Sequence, residues 1–315
     1  MIKTEHLYKR YDKVEAVKDL NISVEPGEIY GFLGPNGAGK TTTIMMILGI
    51  IKPTSGKILV FNRDLYSDYF GIKRKIGVVS EVQYLYEDMT AYEYLSFFCD
   101  LYGVKNKEKK IEELLHRVNL YDRKDDLLGH YSRGMQQKIG FVRALLNDPE
   151  LLILDEPVSG LDPTGIREIR DLILEENKLG RTVFMSSHIL SEVERISHRV
   201  GILNRGRLVA EDTMENIRKK LTSEVEIELE VDNFDVEAEK RLETLPFVTS
   251  VTKEDGKYLV KVKADKDYRG ELVSFISSVG GSLKEIRRRE MSLEDAFITI
   301  TEKNISLFSS EEVTE

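Results

Sequence analysis

The chain has 315 residues, 41% of them hydrophobic and 32% charged, enough for about two domains around a substantial core. Its net charge of −9 argues against a nucleic-acid partner, which calls for a basic footprint. A single cysteine, Cys99, excludes an internal disulfide and a Cys-rich metal site, and fits a reducing cytoplasm. The opening MIKTEHLYKRYDK lacks the apolar core of a signal peptide. The longest apolar run, Ile44 to Ile51, falls far short of the roughly 18–20 residues that span a bilayer. Any membrane role is therefore expected to come through a partner chain.

From Met1 to about Leu221 the pattern is α/β, with short strands such as GEIYGFLG alternating with helical stretches such as Gly165 to Gly180. GPNGAGKTT fits the phosphate-loop pattern G-x-x-x-x-G-K-[ST]. It follows the apolar strand IYGFL and precedes a helical apolar run, the context that the motif requires. Across Gly34, Pro35, Asn36, Gly37, Ala38 and Gly39 the backbone can curl so that its N–H groups face the β- and γ-phosphates. Lys40 neutralises charge, the Thr41 hydroxyl can ligate Mg²⁺, and Thr42 completes the loop.

Between about Glu81 and Asn147 strand signals stop and helical ones take over. Tyr92, Leu95, Phe98, Cys99 and Tyr102 share a helical face, which either packs a subdomain core or lines a groove for a partner. The stretch GHYSRGMQQKIGFVRALL, Gly129 to Leu146, reads as a loop opening into an amphipathic helix. Its start, at Ser132 and Gly134, offers unpaired N–H groups and a positive dipole end, a second place that suits an anion. The apolar strand LLILDEP follows and ends in Asp155 and Glu156. Such a pair can simply cap the next helix. Beside a phosphate loop, Asp155 can hold Mg²⁺ and Glu156 can polarise an attacking water, which points to nucleoside triphosphate hydrolysis. With no N-K-x-D guanine-reading motif, adenine is favoured.

After Leu221 the order of elements is βαββαβ, the ferredoxin-like plan. EVEIELEV, FVTSVTKED, KYLVKVKA and SLKEIRRRE are the strands, and Asp255-Gly256 marks a turn. Ser292 and Asp295 form a capping box for a last short helix, and residues 304–315 are expected to be a disordered tail.

Three further stretches complete a resemblance to the ATP-binding subunit of an ABC transporter, covering roughly Lys3 to Leu221. YSRGMQQ, from Tyr131 to Gln137, resembles the signature motif, SGLD, from Ser159 to Asp162, the D-loop, and His188 the switch histidine. The fold implied is a RecA-like P-loop NTPase core with an inserted helical subdomain at about 81–147, followed by an α+β accessory domain at 222–303. The resemblance assigns Tyr11 to stacking on adenine and His188 to the γ-phosphate and the attacking water. Ser132, Arg133, Gly134 and Met135 would face the γ-phosphate of ATP held by Lys40 of a second subunit, and Asp162 would tie the two D-loops together. ATP and Mg²⁺ are the implied cofactors. The implied partners are a second ATPase copy and a separate membrane permease docking near Glu81 to Thr90, at the cytoplasmic face of the cell membrane.

Two motifs depart from the family pattern, at three positions. Glu81 stands where glutamine is usual, with Gln83 two residues late, and adds negative charge beside the metal. Arg133 and Met135 replace the commoner glycine and glutamine, as in a branch of exporters of drugs, antibiotics or lipids. That branch also carries a C-terminal extension ending like MSLEDAFITIT, which could stabilise a dimer, regulate hydrolysis or cap the sheet. Arg287, Arg288 and Arg289 fit charges guarding a strand edge better than a lipid contact. The competing reading is a soluble ABC ATPase acting on nucleic acid or ribosomes. It is disfavoured by the acidic charge and by the lack of coiled-coil insertions, zinc sites or a second ATPase unit.

Overall fold

The computed structural model describes residues 1–221, 224–254, 256–289 and 297–298. Met1–Thr213 form one compact unit and Met214 begins a second.

The first unit opens on a hairpin of β1 (Ile2–Tyr11) and β2 (Val14–Leu20), with Tyr11 opposite Val14. In chain order there follow β3 (Ser23–Val24), the wholly buried β4 (Ile29–Leu33), α1 (Lys40–Ile47), β5 (Ser55–Val60), β6 (Arg63–Asp64), α2 (Tyr69–Lys73) and β7 (Ile76–Val79). Three longer helices come next: α3 (Ala91–Tyr102), α4 (Lys107–Arg117) and α5 (Arg133–Leu145). The unit closes with β8 (Leu151–Asp155), α6 (Pro163–Lys178), β9 (Thr182–Ser187), α7 (Leu190–Ile196), β10 (Arg199–Asn204) and β11 (Arg207–Asp212).

Two sheets result. The antiparallel one runs β2-β1-β5-β6, with β3 also on β1. The other runs β11-β10-β4-β9-β8-β7 and is parallel from β10 to β7. Its central strands β4, β9 and β8 are buried almost throughout because both faces are covered. Between the sheets, Tyr30 stacks on Phe184 at 5.6 Å within a core that includes Phe32, Ile44 and Met46.

Helix α3 starts in a capping box in which Thr90 and Glu93 satisfy each other's backbone N–H groups. Its buried face is Ala91, Tyr94, Leu95 and Cys99. Leu95 and Cys99 are where the helical spacing puts them, but Tyr94, not Tyr92, is the buried ring, and Tyr102 is 43% exposed. The reason is a chain of ring contacts, Tyr86–Tyr94–Phe98–Tyr102, which runs from the buried Tyr94 outward to the C-terminal end of the helix. The fully buried Glu176 of α6 pairs with Arg117 of α4 and with Arg181, tying the helical segment to the core.

The second unit comprises α8 (Met214–Leu221), β12 (Glu224–Asp232), α9 (Val236–Glu243), β13 (Val248–Glu254), β14 (Lys257–Lys263), α10 (Arg269–Ser278) and β15 (Ser282–Arg289). Its antiparallel sheet runs β13-β14-β12-β15. Alternation in β12 sends Ile227 and Leu229 into a core with Val260, Leu272 and Ile276. Helix α8 falls in this unit, whereas the sequence pattern runs the first domain on to about Leu221. Strand β15 lies at a sheet edge, and Arg289 pairs there with Glu226 at 3.2 Å. Asp255, the Ser292–Asp295 capping box, the MSLEDAFITIT ending apart from Phe297 and Ile298, and the tail at 304–315 lie outside the described residues.

Candidate nucleotide site

The parallel register brings the carboxyl ends of four strands together, the place where open α/β sheets bind ligands. Leu33 at the end of β4 pairs with Ser187 of β9, and Asp155 of β8 pairs with Ser186 of β9. Val79 of β7, next to Ser80 and Glu81, pairs with Leu154. So β4 delivers the phosphate loop, β8 delivers Asp155 and Glu156, β9 delivers His188, and β7 delivers Glu81.

The phosphate loop is shaped by crowding from outside it. Gly39 has φ 107°, and a Cβ there would sit 2.3 Å from the Ala16 carbonyl oxygen on β2. At Gly34 a Cβ would sit 2.5 Å from the Leu203 carbonyl oxygen. Hydrogen bonds from Gly206 N–H to the Ala38 carbonyl and from Lys18 N–H to the Gly206 carbonyl fix the loop's outer side. Lys40 folds back into the loop, where its ammonium donates to the Gly34 carbonyl at 2.7 Å. With only 6% exposure, it also lies 3.3 Å from Glu156 Oε1.

Glu156 is held from three sides. Its φ of 48° puts a non-glycine residue in the left-handed region, a strained state that persists only where the surroundings enforce it. Oε2 lies 2.7 Å from His188 Nδ1 and accepts the His188 backbone N–H at 3.1 Å. The hydroxyl of Ser186 accepts the Glu156 backbone N–H at 3.0 Å and donates to Asp155 Oδ1 at 2.6 Å. Ser186 carries no motif signal, and only the pairing of β8 with β9 places it here.

Burial raises the pKa of Asp155 above the ordinary carboxylate value, and the charges of Glu156 and Glu81 add to the rise. Hydrogen bonds from the Ser186 and Thr41 hydroxyls oppose it. These hard oxygen donors suit Mg²⁺, which takes one or two carboxylates and completes its shell with water and substrate phosphates. Among the described residues no three His, Cys, Asp or Glu side chains gather as a self-sufficient metal site.

Glu81, not Gln83, belongs to this site. Its Oε1 accepts from Ser159 Oγ at 3.2 Å and its charge reaches Asp155. Gln83 turns away, donating to the Ser80 carbonyl at 2.6 Å and packing on Gly140 of α5. Arg133 converges on the same loop, since its guanidinium fills the space beside Gly160 that a side chain there would need. Two of the three departures from the family pattern, Glu81 and Arg133, thus touch the adjacent residues Ser159 and Gly160. Met135 Sδ lies 3.8 Å from an Arg123 nitrogen. Asp162 caps α6 by accepting the Gly165 N–H at 2.9 Å. Tyr11 is 45% exposed, with Lys9 over its ring at 4.9 Å. Ser132 caps α5 through the Met135 N–H at 3.3 Å.

A glycine-crowded loop closing on a lysine, with acidic residues at the end of a neighbouring parallel strand, defines the class as a P-loop nucleoside triphosphatase. Residues 17–159 match the ABC transporter family. The chain is 40% identical to the bacitracin transport ATP-binding protein of Bacillus licheniformis over 95% of this chain and 97% of that one. It is 32% identical to the linearmycin resistance ATP-binding protein of Bacillus subtilis over 97% of this chain and 99% of the other. Among solved structures, a dimeric ATP-binding cassette in a post-hydrolysis state, bound to ADP and phosphate, superposes with a TM-score of 0.63 at 26% identity. That match covers 68% of this chain and 99% of the cassette.

The chain belongs to the family of ABC transporter ATP-binding subunits, within the antibiotic-exporter branch, and is an ATPase. The relatives are transporter subunits, so the reading as an ATPase acting on nucleic acid or ribosomes has no support. No helix among the described residues is long and apolar enough to cross a membrane.

Proposed function

We propose that this chain is the motor of an exporter, hydrolysing ATP between two copies of itself and driving a separate membrane permease at the cytoplasmic face of the cell membrane. The observation that carries the reading is Glu156, held between Lys40 and His188 at the mouth of the phosphate loop. The phosphates of ATP compete with Glu156 for Lys40, and a Glu156 released from that pair accepts a proton from the attacking water. His188, 46% exposed at its side chain, can reach the γ-phosphate from the same side. Tyr11 stacks on the adenine. Asp155, Thr41 and Glu81 would hold Mg²⁺, which would neutralise charge on the transferring phosphoryl group.

Ser132, Arg133, Gly134 and Met135 serve the γ-phosphate in the facing copy. The N–H groups at the α5 start remain available beyond the one that Ser132 caps. Exposed Val82, Tyr84 and Tyr86, beside half-exposed Phe97 and Tyr102, form an apolar aromatic surface next to Glu81 that suits a permease helix. The relatives' names, bacitracin transport and linearmycin resistance, support export as the direction. The strand order β13-β14-β12-β15, all antiparallel, supports a ferredoxin-like plan for the accessory domain.

Glu156→Gln is the test. Hydrolysis is expected to fall by at least about 100-fold, while ATP drives the variant into a dimer visible by size exclusion. Wild-type hydrolysis by this variant overturns the role of Glu156. A variant that binds ATP but stays monomeric overturns the two-copy motor.

A further inference from the structure

We infer that Ser186 is a positioning residue that locks the metal-binding carboxylate and the water-activating carboxylate into one rigid unit. The inference rests on the roles proposed above for Asp155 and Glu156. A serine hydroxyl has one hydrogen and two lone pairs. Ser186 spends its hydrogen on Asp155 Oδ1 at 2.6 Å and a lone pair on the Glu156 N–H at 3.0 Å. Its exposure is zero, so water has no route to replace it.

The two bonds have different consequences. The bond to Asp155 sets the rotation of the carboxylate and leaves its other oxygen to serve the metal, with the Thr41 hydroxyl alongside. The bond from the Glu156 N–H anchors the backbone of the next residue, whose φ of 48° would otherwise relax. Two residues on, His188 holds the carboxylate end of the same glutamate through its ring and its backbone N–H. Ser186 and His188 therefore grip Glu156 at its two ends from one strand and its continuation. Without Ser186 the Glu156 carboxylate keeps its partners but loses the fixed point from which it swings. Ser187, between them, accepts the Ile189 N–H at 2.9 Å and takes no part in the grip.

Ser186→Ala tests this in the full chain, with Ser186→Thr as the variant that keeps the hydroxyl. Two quantities are measured: ADP affinity with Mg²⁺ and with EDTA, and kcat against KM for ATP. The expected outcome is a fall in kcat and in the Mg²⁺-dependent part of ADP affinity of roughly 10–100-fold. Metal-free ADP affinity and KM are expected to stay within about twofold, and threonine to recover most of both losses.

A uniform loss of ADP affinity with and without Mg²⁺, unrelieved by threonine, overturns the inference in favour of plain packing. Wild-type kcat and Mg²⁺ dependence in the alanine variant overturn it too. Asp155→Asn separates this failure from that of the parent reading. If Asp155→Asn keeps the Mg²⁺ dependence, the assignment of Asp155 is wrong. If it loses the dependence and Ser186→Ala keeps it, only the role of Ser186 falls.

Discussion

Two helix starts in this chain suit an anion, and they are built in opposite ways. At the start of α1 there is no side-chain cap, and glycine is compelled by the chain itself: φ is 107° at Gly39 and the Ala16 carbonyl blocks a Cβ. At the start of α5 the Ser132 hydroxyl caps the helix, and a Cβ on Gly134 would meet nothing within 4 Å. Glycine near a helix start costs helix stability relative to alanine, and nothing in this chain requires it at Gly134. The first start is complete within one chain. The second carries a glycine that no contact within the chain requires, which agrees with the role proposed for it toward the γ-phosphate of a facing copy.

The contrast breaks most sharply at Gly39. In Gly39→Ala, strain of about 1–3 kcal/mol plus the overlap with Ala16 should collapse the phosphate loop. Titration with a fluorescent ATP analogue should show binding lost, and the melting temperature should fall. Gly134→Ala should do the reverse. Stability should be unchanged or raised by about 0.4–1 kcal/mol, and nucleotide affinity should stay intact. Hydrolysis should still drop, by up to roughly 100-fold, because a methyl group displaces the facing phosphate. Normal hydrolysis in Gly134→Ala would mean that the second start serves no nucleotide. In Ser132→Ala the cap is lost at a cost of about 1 kcal/mol, read by urea denaturation without nucleotide.

The smallest effect concerns Asp155, whose pKa burial raises in the nucleotide-free chain. A carboxyl raised on folding favours the native state below its unfolded pKa, and that favour is lost as pH rises through the folded value. Asp155→Asn should therefore melt higher than wild type at pH 7, with the gap closing toward about pH 4, where the unfolded carboxyl takes its proton. A constant gap across that range would point to packing instead.

Much of this was legible in the sequence because it is local. The phosphate loop, the acidic pair Asp155-Glu156 within LLILDEP and the Ser132 helix start are short motifs that consecutive residues spell out. The α/β alternation and the order of elements in the second unit follow from periodicity in the same way. Spacing failed where neighbours far along the chain decide. It gave Tyr92 rather than Tyr94 as the buried ring of α3, because the Tyr86–Tyr94–Phe98–Tyr102 ring chain is a tertiary contact. It put Glu81 rather than Gln83 at the glutamine position, but not the contacts of either, since these depend on Ser159 and on the close approach to Gly140.

What the sequence by itself determined is the kind of chemistry, because a phosphate cradle and a strand-end carboxylate pair are written in consecutive residues. What only the tertiary structure decided is how those groups are held. Parallel pairing of β8 with β9 brings Ser186 and His188, some thirty positions away, onto Asp155 and Glu156. No local pattern encodes that approach, because a hydrogen bond depends on distance in space and the register of two strands is set by the packing of the whole sheet.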